Sequence, residues 1–242
     1  MQSNFDKYYD LIFSQKKYKK EVLYILKNTR TTRPKKILDV GCGTGTHSDL
    51  IYRVRKTKII ALDTNKSAIK IAKKKNKNIY FSNKKLKLIN ENNFDLIISM
   101  FNVVNYFKDM KQLIIFFKDI KQKMSKKSIF IFDSWNGSFN FNNKIVREKR
   151  IIESKDFILK NYIKSIKKNS SKKIHLSYAI NILLFKNNKK ISINHKLTQY
   201  LWTPKEIMYA LITAGFKSIK VKKSFTNQSY SKKDLKIIFL VN

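Results

Sequence analysis

Three glycines at 41, 43 and 45, set between Asp39 and Thr46, are the residues whose types and spacing most clearly prescribe chemistry. They follow the apolar run Ile37-Leu-Asp-Val40, and glycine lets a backbone take positive φ and approach a ligand with no Cβ in the way. A buried strand that runs into such a loop and then into a helix, here from about Thr46, aims backbone N–H groups at a nucleotide-type cofactor. The spacing is G-x-G-x-G, and Thr46 stands where a dinucleotide fingerprint places its third glycine. A second acid, Asp63, ends the next apolar run, where related folds hydrogen-bond the cofactor ribose. The alternative for Asp63 is a surface carboxylate capping the helix that begins near Asn65. Cys42, the only cysteine, reads as a small residue filling the loop; with no disulfide framework, a reducing cytoplasm is expected.

The elements that must hold this loop alternate along the chain. Short apolar runs at 36–40, 58–62, 78–81, 94–99 and 128–133 are separated by amphipathic stretches, one after the glycine loop, one near 66–75 and one at 109–124. That rhythm predicts a parallel sheet with helices on both faces. Residues 5–28 read as helices, with Phe5, Tyr8, Tyr9 and Ile12, then Tyr18, Val22, Ile25 and Leu26, at helical spacing. Thr29 to Pro34 break that pattern. After Asp133 the period changes: residues 145–201 alternate, as from His175 to Phe185, turn at Asn187-Asn188 and continue through Ile191 to His195. This segment is expected to be an antiparallel sheet inserted into the main domain. Pro204 to Ala214 reads as a helix closed by Gly215, and strands at 217–223 and 235–241 bring the main sheet to seven.

With Asp39 before the loop and Asp63 after the next strand, segment 37–45 resembles motif I of the class I S-adenosylmethionine (SAM) methyltransferases. The resemblance implies an α/β, Rossmann-like seven-stranded sheet whose last strand is antiparallel and lies between the fifth and sixth. Residues 1–242 would form one such domain, with 145–201 as a lid or dimer surface. It also implies SAM as cofactor, held by Tyr18, Asp39, Gly41, Cys42, Gly43, Gly45, Asp63, Thr64, Asn83 and Met100. Asn83 departs from the Asp that the family often sets against the adenine amine, but an amide oxygen accepts the same bond.

Further segments, Phe94 to Tyr106, Phe130 to Gly137, Tyr200 to Ile207 and Ala-Gly-Phe216, are similar to small-molecule methyltransferases of surface-polysaccharide and amino-sugar pathways. Among these, the segments resemble N-methyltransferases of nucleotide-linked amino sugars. Tyr9 to Tyr18 resembles their N-terminal helix, whose tyrosine closes over SAM. The implied acceptor pocket is walled by Tyr9, Phe101 and Trp135, with Asn105 and Tyr106 at the chemistry. Those enzymes carry a His near the acceptor nitrogen where this chain has Tyr106, and a phenol with a pKa of about 10 is a poor base at neutral pH. His195 is then the candidate to face the site, its alternative being a solvent-facing strand residue. His47 is expected to be structural and His175 exposed.

The formal net charge of +37 invites nucleic acid as a partner. Of the 53 basic residues, however, only six are Arg, and phosphate and base readout favours the bidentate guanidinium. Lys, Ile and Asn, all encoded by A/T-rich codons, make up 103 of the 242 residues, so the charge follows composition. A small, anionic acceptor such as a nucleotide-linked sugar is expected, with no metal, no membrane partner and an optional homodimer. Transfer to a sugar hydroxyl is the nearest alternative. A nucleic-acid methyltransferase would carry D/N-P-P-Y/F where Ser99-Met-Phe-Asn102 stands, and a nicotinamide oxidoreductase would want the third glycine. A SAM-binding module without activity would keep the loop and Asp63 and transfer nothing.

Overall fold

The computed structural model describes residues 5–29, 34–139, 146–154, 157–169, 174–186 and 189–242. Helices α1 (Phe5–Ile12) and α2 (Tyr18–Lys27) precede β1 (Lys36–Val40), α3 (Thr46–Arg55), β2 (Lys58–Leu62), α4 (Lys66–Lys75), β3 (Tyr80–Ser82), β4 (Phe94–Ser99), α5 (Met110–Lys123) and β5 (Met124–Trp135). Strands β6 (Val146–Ser154), β7 (Phe157–Asn169), β8 (Ile174–Lys186) and β9 (Lys189–Tyr200) follow, then α6 (Pro204–Thr213), β10 (Ile219–Lys223) and β11 (Lys236–Val241). They divide into two compact units: residues 17–140 with 202–242, and residues 1–16 with 141–201.

The larger unit is built on a seven-stranded sheet in the order β10-β11-β5-β4-β1-β2-β3. β11 pairs antiparallel with both β5 and β10, and the other pairs are parallel, as the resemblance implied. From β1 the chain winds first through β2 to β3 and then through β4 to β5 on the other side. The order therefore reverses between β1 and β4, and a crevice opens beyond their C-terminal ends.

Buried strands of a covered sheet are apolar on both faces. Leu38, Ile60, Ile97, Phe130, Phe132 and Phe239 pack on one side with Phe117 of α5 and Ile207 of α6. Ile37, Ile59, Ala61, Ile98 and Ile131 pack on the other with Ile25, Ile51 and Ile69. Caps fix several boundaries. Asn65 accepts from the N–H groups of Ser67 and Ala68, Asp109 from Gln112, and Thr203 with Glu206 forms a reciprocal capping box behind Pro204. β5 starts four residues earlier than the apolar run 128–133 indicated, because polar residues 125–127 extend it from Met124, which pairs with Phe94 ahead of a register shift.

The smaller unit is an antiparallel meander in the order β6-β7-β8-β9. Phe5 and Ile12 of α1 pack with Leu159, Ile180, Ile182, Leu184 and Ile193 of that sheet. β8 and β9 pair as far as Lys186 with Lys189; the expected turn at Asn187-Asn188 lies outside the described residues. Among the described residues no helix is long and apolar enough to cross a membrane.

The aromatic column joining the central strands should dominate stability. Phe132 is fully buried and stacks on Phe239 with ring centroids 4.7 Å apart. Phe132→Ala is expected to lower unfolding free energy in urea by about 3–5 kcal/mol; a loss below about 1 kcal/mol would contradict this packing.

Candidate active site

The glycine loop is tied to the end of β2 through its own backbone. Gly41 and Cys42 N–H both donate to Leu62 carbonyl oxygen, at 2.7 and 2.9 Å, and Gly43 N–H donates to Asp63 Oδ2 at 2.8 Å. The other carboxylate oxygen of Asp63 accepts from Asn65 N–H at 2.8 Å. Asp63 is thus aimed by two backbone donors, while the helix cap itself is Asn65.

The three glycines have positive φ for different reasons. A Cβ on Gly41 would lie 2.5 Å from a Val103 methyl, and one on Gly45 would lie 2.7 Å from the Phe81 ring. Gly43, with φ +55, has nothing within 4 Å of that position. Packing fills the space at the outer two, and the middle one faces open space at the head of α3. Cys42 is half-buried, and burial, followed by the charges of Asp39 and Asp63, pushes its thiol well above the usual range.

Asp39 is buried against α3, where Ser48 Oγ donates to its Oδ2 at 2.6 Å. Burial raises its carboxyl pKa to about 6, with Asp63 adding to the rise and the Ser48 bond and His47 opposing it. His47 is buried, sits 2.7 Å from Glu21 Oε2, and its ring meets that of Tyr18 edge-on at 5.0 Å. This places Tyr18 of α2 beside the first turn of α3.

Beyond β4, Ser99 Oγ donates to Val40 carbonyl oxygen at 2.8 Å, joining the two strands at the crevice. Phe101 and Asn102 then take φ +74 and +62, and Asn102 N–H donates to buried Asp133 Oδ1 at 2.9 Å. Two successive non-glycine residues in the left-handed region are uncommon, and strain of this kind gathers at functional loops. Tyr106 ends the short turn that follows and is 53 % exposed. Asn105, expected to act on the acceptor, is fully buried, and its Oδ1 accepts from Trp135 N–H at 3.1 Å. That bond ties the loop after β4 to the end of β5. Trp135 is half-buried at the end of β5.

A family profile described as "Methyltransferase domain" matches residues 32–215, which is most of the chain and includes the glycine loop, Asp63 and the β4 loop. The chain belongs to the methyltransferase-domain family. A search of curated protein sequences finds no match. Solved structures share the fold at low identity. Streptomyces venezuelae DesVI aligns with a TM-score of 0.84 at 15% identity, covering 100% of this chain and 99% of its own. A SAM-dependent methyltransferase from Clostridium acetobutylicum gives 0.82 at 18%, covering 98% and 96%. The sugar N-methyltransferase KedS8 from a Streptoalloteichus species gives 0.81 at 14%, covering 96% and 91%.

The methyltransferase brings Gly41, Gly43, Gly45 and Asp63 together at the C-terminal ends of β1 and β2, with Phe101 and Tyr106 on the loop after β4 and Trp135 at the end of β5. Thr64 and Asn83 lie exposed just past β2 and β3, and Met100 is buried in the core. Tyr9 and His195 belong to the smaller unit. There His195 is half-buried and stacks on Phe5 at 4.0 Å with planes 5° apart, and burial holds its pKa below the usual imidazole value against the pull of Asp6. His175, expected to be exposed, is half-buried, with its Nδ1 enclosed and its ring 5.6 Å from that of Tyr200. Two residues escaped sequence reasoning. Asn136 is fully buried and donates to the carbonyls of Ser231 and Asp234 at 3.0 and 2.9 Å, holding the segment before β11. Lys236, one lysine among many, sets its ammonium 4.5 Å from the Trp135 ring centroid and 5.3 Å from that of Phe101. Its only sequence signal was its place at the start of an apolar strand.

Two predictions test this arrangement. Gly45→Ala, meeting Phe81, should destabilise the fold more than Gly43→Ala, which carries only the left-handed backbone penalty of about 1–2 kcal/mol. Equal melting temperatures for the two variants would overturn that division. Asp39 binds its proton more tightly folded than unfolded, so its contribution to stability is complete below the unfolded value of 3.8 and is lost as pH rises through about 6. Asp39→Asn should therefore remove roughly 3 kcal/mol of the stability decline that the parent shows across that window in urea titrations. Identical pH dependence in the two proteins would show that Asp39 does not titrate this way.

Proposed function

We propose that this methyltransferase moves a methyl group from SAM to the amino group of a small, nucleotide-linked amino sugar. The observation that carries the cofactor reading is the pairing of Gly43, open at its Cβ position, with an Asp63 carboxylate oriented by two backbone N–H groups. A carboxylate is an acceptor with two oxygens, the type of group that suits vicinal ribose hydroxyls. These residues fit SAM, which when bound supplies an activated sulfonium methyl carbon.

With the donor already activated, the chain's task is to align the nucleophile and keep water out. Phe101 and Trp135 give the acceptor edge an apolar lining, and a desolvated amine is held in the neutral form that can attack. Tyr106, exposed on its loop, is placed to hydrogen-bond the acceptor and need not act as a strong base. A sugar hydroxyl would need more help than a phenol gives. The likeness in fold to KedS8, a sugar N-methyltransferase, supports the choice of acceptor class.

Calorimetric titration with SAM and S-adenosylhomocysteine, with NADH as control, tests the cofactor. Asp63→Ala should weaken SAM binding by about tenfold or more in a variant that still melts cooperatively; unchanged affinity would refute the ribose role. Tyr106→Phe should lower turnover on nucleotide-linked amino sugars more than it lowers SAM affinity. Full turnover in that variant would remove the phenol from the mechanism.

A further inference from the structure

Lys236 is the first residue of β11 and stands in register with Trp135, the last of β5. It therefore rises from the same sheet edge as the glycine loop and Asp63. Its ammonium lies against two aromatic faces, those of Trp135 and Phe101. Among the described residues other lysines, such as Lys36 over Phe94 and Lys121 over Phe216, each meet a single ring. Phe101 reaches this position through a left-handed backbone, unusual for a bulky residue, that the Asn102-to-Asp133 hydrogen bond holds in place. The fold thus accepts strain to set a ring on this cation. Trp135 is fixed from behind by the buried Asn105 amide. A lysine steadied this way gives up little further freedom on meeting an anion, and its three N–H donors suit phosphate oxygens.

We propose that Lys236 is the anion handle of the acceptor site, taking the phosphate oxygens of a nucleotide-linked acceptor while Trp135 and Phe101 hold the ammonium in place. This rests on reading that sheet edge as the acceptor side. It assigns the specificity for an anionic acceptor to one residue rather than to the diffuse positive charge of the chain.

Uridine diphosphate, inorganic pyrophosphate and uridine serve as probes, titrated calorimetrically at fixed salt into protein saturated with S-adenosylhomocysteine. The parent, Lys236→Met, Lys236→Arg and the surface control Lys111→Met are compared. Uridine diphosphate should bind the parent, weaken by about tenfold or more in Lys236→Met, and stay within roughly threefold in Lys236→Arg and Lys111→Met. Uridine should respond to none of the changes. Should Lys236→Met show no cooperative melt, Lys236→Gln against Lys236→Arg decides in the same way. Equal weakening in Lys236→Met and Lys111→Met, or no binding to the parent, overturns the proposal. Pyrophosphate binding as tightly as uridine diphosphate would mark a free-anion site and overturns the acceptor assignment. S-Adenosylhomocysteine failing to bind while uridine diphosphate still depends on Lys236 would sink the cofactor reading alone.

Discussion

The hydrogen bond from Gly43 N–H to the Asp63 carboxylate joins two strand ends, and the rest of the candidate site is arranged around it. It draws the loop after β1 onto the end of β2, which already receives Gly41 and Cys42 through the Leu62 carbonyl. A carboxylate oriented by backbone donors keeps its direction whatever the neighbouring side chains do. In the first turn of α3, Ser48 meets Asp39 and His47 meets Glu21. The buried polar groups of this region are thus paired among themselves, as a dry interior requires.

Across the switch point the logic is different. The loops after β4 and β5 are held by buried amides and carboxylates, Asn105, Asp133 and Asn136, whose partners are mostly backbone groups. These side chains fix the paths of two loops so that exposed or half-exposed residues, Tyr106, Phe101, Trp135 and Lys236, share one edge. Strain at Phe101 and Asn102 is tolerated because a packed sheet and a buried acid over-determine the turn.

Much of this could be read from the residues in order. The period of two or of 3.6, the glycines and the capping residues gave the seven strands, the α6 boundaries and the inserted meander, because each of those signals is local. The resemblance supplied the antiparallel β11 between β5 and β10. What stayed hidden depends on partners far along the chain. The Asn105 amide oxygen meets Trp135 N–H, 30 residues away. The Asp39 carboxylate meets Ser48 from the next helix. Lys236 could not be told from 46 other lysines by any property of its own segment.

One junction has a consequence for how such a chain can change. Gly137 N–H donates to Trp202 carbonyl oxygen at 2.9 Å, and a Cβ on Gly137 would lie 2.4 Å from the Trp202 carbonyl carbon. The backbone leaving the seven-stranded unit and the backbone returning to it are therefore stitched side by side. From the standpoint of the main sheet, the chain between them is a loop closed at this junction. Doubling such a loop raises its closure penalty by only about 0.6 kcal/mol. A change in the length of chain between these two residues therefore adds little to that penalty.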